Sequence, residues 1–333
     1  MHGQGVRARV TTVGRRRGAR GRRATSVAAL LAAALTASLA AGCASGQDDG
    51  RARPESAAGS ARASSVLAVK IDNVPAARPQ TGLDAADVVY VEQVEGGLSR
   101  LMAVYATRLP KTVGPVRSAR ESDLELLAQF DRPTFAFSGA QSKLLPVIDK
   151  AAVRARPPGT ASDAYVRNPD RPAPHNLYLR PERLLSSAPG ADALTTGFRF
   201  GAAPEGGRAT ASQTVRYPAA RYTFTWSPGR ERWLIAMDGK AAVTTDGGRM
   251  AAATVVVQEV KVRESVYHDF LGNKTPFTET VGSGKARVLR DGRAYDVRWK
   301  RPKATDGTTF TTEDGKPVPF RRGQVWVLFT KAP

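Results

Sequence analysis

A single cysteine, Cys43, in a chain of 333 residues limits from the outset how the fold can be held together. No internal disulfide framework and no multi-cysteine zinc site can form. With only three histidines, His2, His175 and His268, a histidine-rich metal centre is excluded as well. Stability must therefore come from buried apolar surface. Hydrophobic residues at 41% and charged residues at 24% suit an ordinary globular chain, and they exclude a wholly disordered or collagen-like one. A length of 333 favours two folded domains over one.

The same cysteine closes an N-terminal segment of unusual composition. Residues 1–42 carry eight arginines and no acid, and within them residues 24–41 are small, apolar and rich in alanine. That stretch is short of the ~20 strongly hydrophobic residues a spanning helix needs. A charged leader, a modest apolar run and small residues at its end predict a secretory signal peptide over residues 1–42. Leu39-Ala40-Ala41-Gly42-Cys43 resembles a bacterial lipobox, with Ala40 where the usual motif has leucine. The resemblance implies cleavage before Cys43 and diacylglycerol on its sulfur; the alternative is an ordinary signal peptide with an incidental cysteine. An exported protein gains little from one unpaired thiol, and each buried acyl CH₂ contributes about 0.8 kcal/mol of anchoring. Arg22-Arg23 lacks the residues that flank a twin-arginine signal, so the sequence leaves the export route open. Residues 43–65 have no apolar periodicity and balance three arginines against three acids. They read as a flexible tether with a reach of roughly 25 Å. The expected location is the extracytoplasmic face of a bacterial cell membrane, with the lipid on Cys43 as the membrane contact.

The formal net charge of +20 falls to +12 once the leader is removed. Export together with that correction disfavours a nucleic acid partner. Beyond the tether, short β-branched runs bounded by Asn, Pro and Gly predict strands at 66–71, 87–94, 100–106 and 134–137. Helical periodicity lies between them at 122–130 and 142–152, so residues 66–200 read as a layered α/β domain. After residue 212 the periodicity is that of strands alone. Asp291-Gly292, between two such runs, is a strong hairpin signal, and residues 212–333 read as a mostly antiparallel β domain. The expected class is thus α/β or α+β followed by β. Residues 66–200 carry 17 basic and 14 acidic residues, against 22 and 13 in residues 201–333. Arg287, Arg290, Arg293, Arg298, Lys300, Arg301 and Lys303 crowd the 291–292 hairpin. They read either as a solvated face or as a patch attracting anionic lipid or wall polymer.

Several motifs occur in an order more specific than any one of them. They are Ile71-Asp72-Asn73, Ala77-Arg78-Pro79-Gln80-Thr81-Gly82-Leu83, Val94-Glu95-Gly96-Gly97-Leu98-Ser99-Arg100, Gly114-Pro115-Val116-Arg117-Ser118-Ala119-Arg120 and Ala173-Pro174-His175-Asn176-Leu177-Tyr178. With Thr254-Val255-Val256-Val257-Gln258 and Gly323-Gln324-Val325-Trp326 they resemble the YerB-like lipoproteins that carry domain of unknown function 3048. The resemblance covers nearly all of residues 66–333. It implies an exported lipoprotein with an N-terminal and a C-terminal domain, and it supplies no substrate and no catalytic residue.

Candidate site residues are therefore read from local chemistry. In GPVRSARESD, Ser118-x-x-Glu121 has capping-box spacing, with Ser122-x-x-Glu125 as an alternative helix start. Arg117 and Arg120 beside a helix N-terminus oppose its dipole. That conflict suggests an anion site of guanidinium forks and free N–H groups, unless Glu121, Asp123 and Glu125 simply neutralise them. Glu95 and Arg100 stand at strand ends around Gly96-Gly97, and Asn73, Arg78 and Gln80 follow the first strand, where open sheets form crevices. Glu92 and Glu95 are poorly spaced to act as a pair. His175 and Asn176 lie in a Pro-rich loop; a histidine there serves as a base or, more simply, bonds locally. No P-loop, H-E-x-x-H, EF-hand or G-x-S-x-G pattern is present, so no metal and no cofactor is expected. The expected function is a membrane-anchored binding module for an anionic wall polymer, a phospholipid headgroup or a partner protein. The alternative is an envelope enzyme on a phosphorylated precursor: the order of strands, GPVRSAR and helices resembles the LytR-CpsA-Psr phosphotransferases, without their aspartate-bearing loop motifs.

Overall fold

Apolar runs of four to eight residues, cut by Asn, Pro and Gly, are too short for long helices and long enough for strands. The computed structural model describes residues 65–269 and 271–333. The leader, Cys43 and the tether up to residue 64 lie outside them. Strands β1 (Leu67–Ile71), β2 (Val88–Gln93) and β3 (Ser99–Tyr105) fall on the predicted runs. Helix α1 (Glu121–Leu127), strand β4 (Thr134–Ala136) and helix α2 (Leu145–Lys150) follow, both helices shorter than their periodicity suggests.

The alternation of strand and helix is only partly what it promised. β2 runs antiparallel to β3, and β3 antiparallel to β1; only β4 and Arg154–Ala155 add in parallel at the edge. The cause lies in Gly96-Gly97, both at positive φ, which turn β2 directly into β3 with no crossover helix. Gly97 is also pinned from outside: a Cβ there would lie 2.5 Å from Cβ of Pro218.

The strands Thr254–Val260, Gly282–Arg290 and Arg293–Arg301 form the antiparallel array expected of the second half. Asp291 and Gly292 both take positive φ in a two-residue turn, as a type I′ hairpin requires. The two halves nevertheless do not make separate sheets. The C-terminal strand Val325–Lys331 lies parallel to β2 on one side and to Thr254–Val260 on the other, completing one eleven-stranded sheet. Its sequence VWVLFTK explains the central place, since a near-continuous apolar run must be covered on both faces. Val325, Val327 and Phe329 join a core beneath the two helices with Leu126, Leu127 and Ile148. Trp326 and Leu328 join the opposite core, against a five-stranded antiparallel sheet whose Tyr222 and Phe224 meet Trp326.

The basic cluster near residue 291 also divides. Arg290 is 4% exposed and donates to the carbonyls of Gly201, Ala202 and Pro319. Arg301, 1% exposed, donates to the carbonyls of Glu125, Ala304 and Asp306, tying the second half to the end of α1. These two arginines hold loops rather than offering charge to solvent. Among the described residues no helix is long and apolar enough to cross a membrane.

Candidate functional site

A cavity of about 950 Å³ opens on the helix side of the sheet, at the ends of β1 to β3. Its walls come from the start of β3, the loop 117–121, the residues leading into α2 and the tip of a hairpin formed by Val262–His268 and Lys274–Thr278. That hairpin belongs to the second half of the chain and stands against the first. Ser265 Oγ donates to Glu121 Oε2, and Thr275 Oγ1 to Glu95 Oε1, each at 2.5 Å.

Three arginines face this space in different states. Arg120 grips Glu95 with a fork, its Nε and Nη2 each 2.7 Å from a carboxylate oxygen. Burial pushes the Glu95 carboxyl up, but Arg120 and Thr275 together outweigh it and hold the group below its usual range. Arg117 Nε lies 3.1 Å from Asp72 Oδ2, and His175 Nδ1 lies 2.8 Å from the same oxygen. Arg100 is half-buried and donates only to the carbonyl of Ser118, at 2.9 Å. Among the described residues it has no carboxylate partner. Burial, then the nearby charges of Arg120 and Arg117, push its guanidinium down to about 9. Glu95 and Asp72 oppose that shift without cancelling it, and the guanidinium stays protonated at neutral pH.

Glu95, Arg100, Arg117, Ser118 and Arg120 thus meet around one cavity, with His175 held behind its wall through Asp72. Ser118 is not the helix cap that its spacing suggested. Helix α1 begins at Glu121 with Arg120 as N-cap, because Asp123 at the third helical position accepts the Arg120 N–H at 2.7 Å. Asn73, Arg78 and Gln80 do cluster, but behind the cavity wall and not in its lining. Asn73 donates to Ser99 and Tyr222, while Arg78 and Gln80 donate to Asn73. Arg78 also pairs with Asp238 at 2.7 Å. The Asn73 amide, the Arg78 guanidinium and the Gln80 NH₂ group are engaged internally, joining the first loop to the five-stranded sheet. Asn176 is likewise taken up, accepting from Arg167 at 2.7 Å across a small hairpin.

One constellation escaped the sequence reading. Lys70 on β1 is fully buried and donates to Glu92 and Asp123, each at 2.5 Å. Burial pushes Glu92 up to about 7, Lys70 opposing and Asp123 adding to the rise. Burial pulls Lys70 down, yet its two carboxylates more than reverse this and raise it. The signal was a lysine inside the apolar run VLAVKI, on the same face as Ala68.

With this geometry in view, comparison with known proteins defines the chain. Two family models match it, the N-terminal domain of the protein of unknown function DUF3048 over residues 52–194 and the C-terminal domain over residues 213–327. The chain belongs to the DUF3048 family. A relative in Bacillus subtilis (strain 168), described as "Putative lipoprotein YerB", is 25% identical over 280 residues, covering 78% of this chain and 80% of the relative. The crystal structure of the YerB protein from Bacillus subtilis superposes with a TM-score of 0.66 at 22% identity, over 81% of this chain and 91% of that one. The DUF3048 fold is therefore shared, and in this member the sheet runs across both family domains.

Proposed function

We propose that this DUF3048 chain is a lipoprotein, anchored through Cys43 at the extracytoplasmic face of the membrane, whose helix-side cavity binds an anionic group of an envelope component. The anchor rests on the leader, on Gly42-Cys43 and on the description of the Bacillus relative as a lipoprotein. Radiolabelled palmitate is expected to enter the wild-type protein and not Cys43→Ser; absence of label from the wild type overturns the anchor.

Arg100 carries the binding reading. It is a half-buried cation, crowded by two further arginines and lacking a carboxylate of its own among the described residues. An anion arriving there gains a charge-assisted hydrogen bond from the one arginine of the three that no carboxylate matches, since Arg117 pairs with Asp72 and Arg120 with Glu95. The cavity also bears acids: Asp72, Glu95, Glu121 and Asp269 line it beside Arg100, Arg117, Arg120 and Lys143. Such balance suits a singly charged group better than the pyrophosphate of a phosphotransferase substrate. The test is retention of the full chain on cell-wall fragments and on anionic liposomes. Arg100→Met is expected to weaken retention about tenfold, the effect of losing ~1.4 kcal/mol. Equal retention of the wild type, Arg100→Met and the Arg117→Ala/Arg120→Ala double variant overturns the reading.

A further inference from the structure

Once the internal ion pairs are set aside, the cavity keeps charges of both signs. Arg120 is matched by Glu95 and Arg117 by Asp72, which leaves Arg100 and Lys143 against Glu121 and Asp269. Asp269 is engaged within its own turn, accepting from the backbone N–H groups of Leu271 and Asn273 and from the Asn273 amide, each at 2.9 Å. Glu121 is different. Its Oε2 accepts from Ser265, it has no cation partner among the described residues, and its other oxygen is uncommitted. A simple anion seated on Arg100 would share the cavity with that unmatched carboxylate and with the field of Asp269. A ligand carrying both signs meets attraction at both places. A third feature concerns neutral hydrogen bonding: Gln141, in the wall, has a buried Oε1 with no donor. That atom is sealed from the cavity, so it is an internal cost of the wall and not a contact offered to a ligand.

Resting on the anion reading above, we propose that the cavity binds a short zwitterionic peptide. Its carboxylate sits on Arg100 and its ammonium group on Glu121. A volume of about 950 Å³ admits a few residues.

The test is calorimetric titration of the purified full chain with trialanine, its N-acetyl form, its C-terminal amide, phosphoethanolamine and inorganic phosphate. Trialanine is expected to bind about tenfold more tightly than either blocked form. Glu121→Gln, which keeps the acceptor for Ser265, is expected to weaken trialanine but not N-acetyl-trialanine, erasing the difference between them, with the melting temperature unchanged. Such a cycle isolates the contact between the ligand amine and Glu121. Equal binding of free and acetylated peptide overturns the proposal, as does equal weakening of both by Glu121→Gln. Tighter binding of phosphoethanolamine than of trialanine overturns the peptidic class and leaves the anion reading standing. If Arg100→Met leaves the binding of N-acetyl-trialanine and phosphate intact, the anion reading falls, and the zwitterion proposal with it.

Discussion

Two sets of charged side chains share the helix side of the sheet. Lys70, Glu92 and Asp123 are sealed, at 0%, 1% and 0% exposure; Arg100, Arg117 and Arg120 face a cavity. The sealed set is closed upon itself, apart from one oxygen of Glu92 that lacks a donor. Asp123 also fixes the start of α1, so this cluster positions the loop that carries Arg117 and Arg120. The open set is arranged the other way, with two cations matched and one left over. Like chemistry is thus matched internally where solvent is excluded and left partly unmatched where it is admitted.

The largest effect that sharpens this contrast is expected from Lys70→Met. Removing the ammonium leaves two buried carboxylates without a counter-charge, a loss of about 3–5 kcal/mol. Urea unfolding followed by tryptophan fluorescence measures it. Arg100→Met, which removes a cation with no carboxylate to abandon, is expected to change stability by under about 1 kcal/mol. Equal losses in the two variants would break the distinction.

A smaller effect concerns pH. Glu92 is raised in the folded state, so between about pH 4.5 and 7 the native protein holds a proton that the unfolded chain has released. Its contribution is present below this window and is lost as pH rises through it, by on the order of 3 kcal/mol. Stability of the wild type relative to Glu92→Gln should therefore fall across that range. A flat difference would mean that Glu92 is already ionised when buried. The smallest effect is expected at Ser118. A helix cap replaced by alanine typically loses about 1 kcal/mol, whereas Ser118→Ala should lose under about 0.5, because Arg120 and Asp123 form the helix start.

What was legible in the sequence was local. The apolar runs became strands, and Asp291-Gly292 made its turn, because each is decided by a few neighbouring residues. GPVRSAR was legible as an arginine-bearing loop before a helix, while the choice of cap was not, since Asp123 competes with Ser118 from two residues into α1. Glu95, Arg100 and Arg120 could be shortlisted; that Thr275 and Ser265 would close their cavity could not, because those contacts span 180 and 144 residues. Asn73, Arg78 and Gln80 failed as cavity residues for the same reason. Their decisive partners, Tyr222 and Asp238, come from 149 and 160 residues away.

The position of Val325–Lys331 has a temporal side. Every other strand of the large sheet precedes it in the chain, yet it is the keystone between β2 and Thr254–Val260. Until that segment docks, β2 and Thr254–Val260 each present an unpaired edge, so the two parts of the sheet can be joined only after the last of its strands has been made.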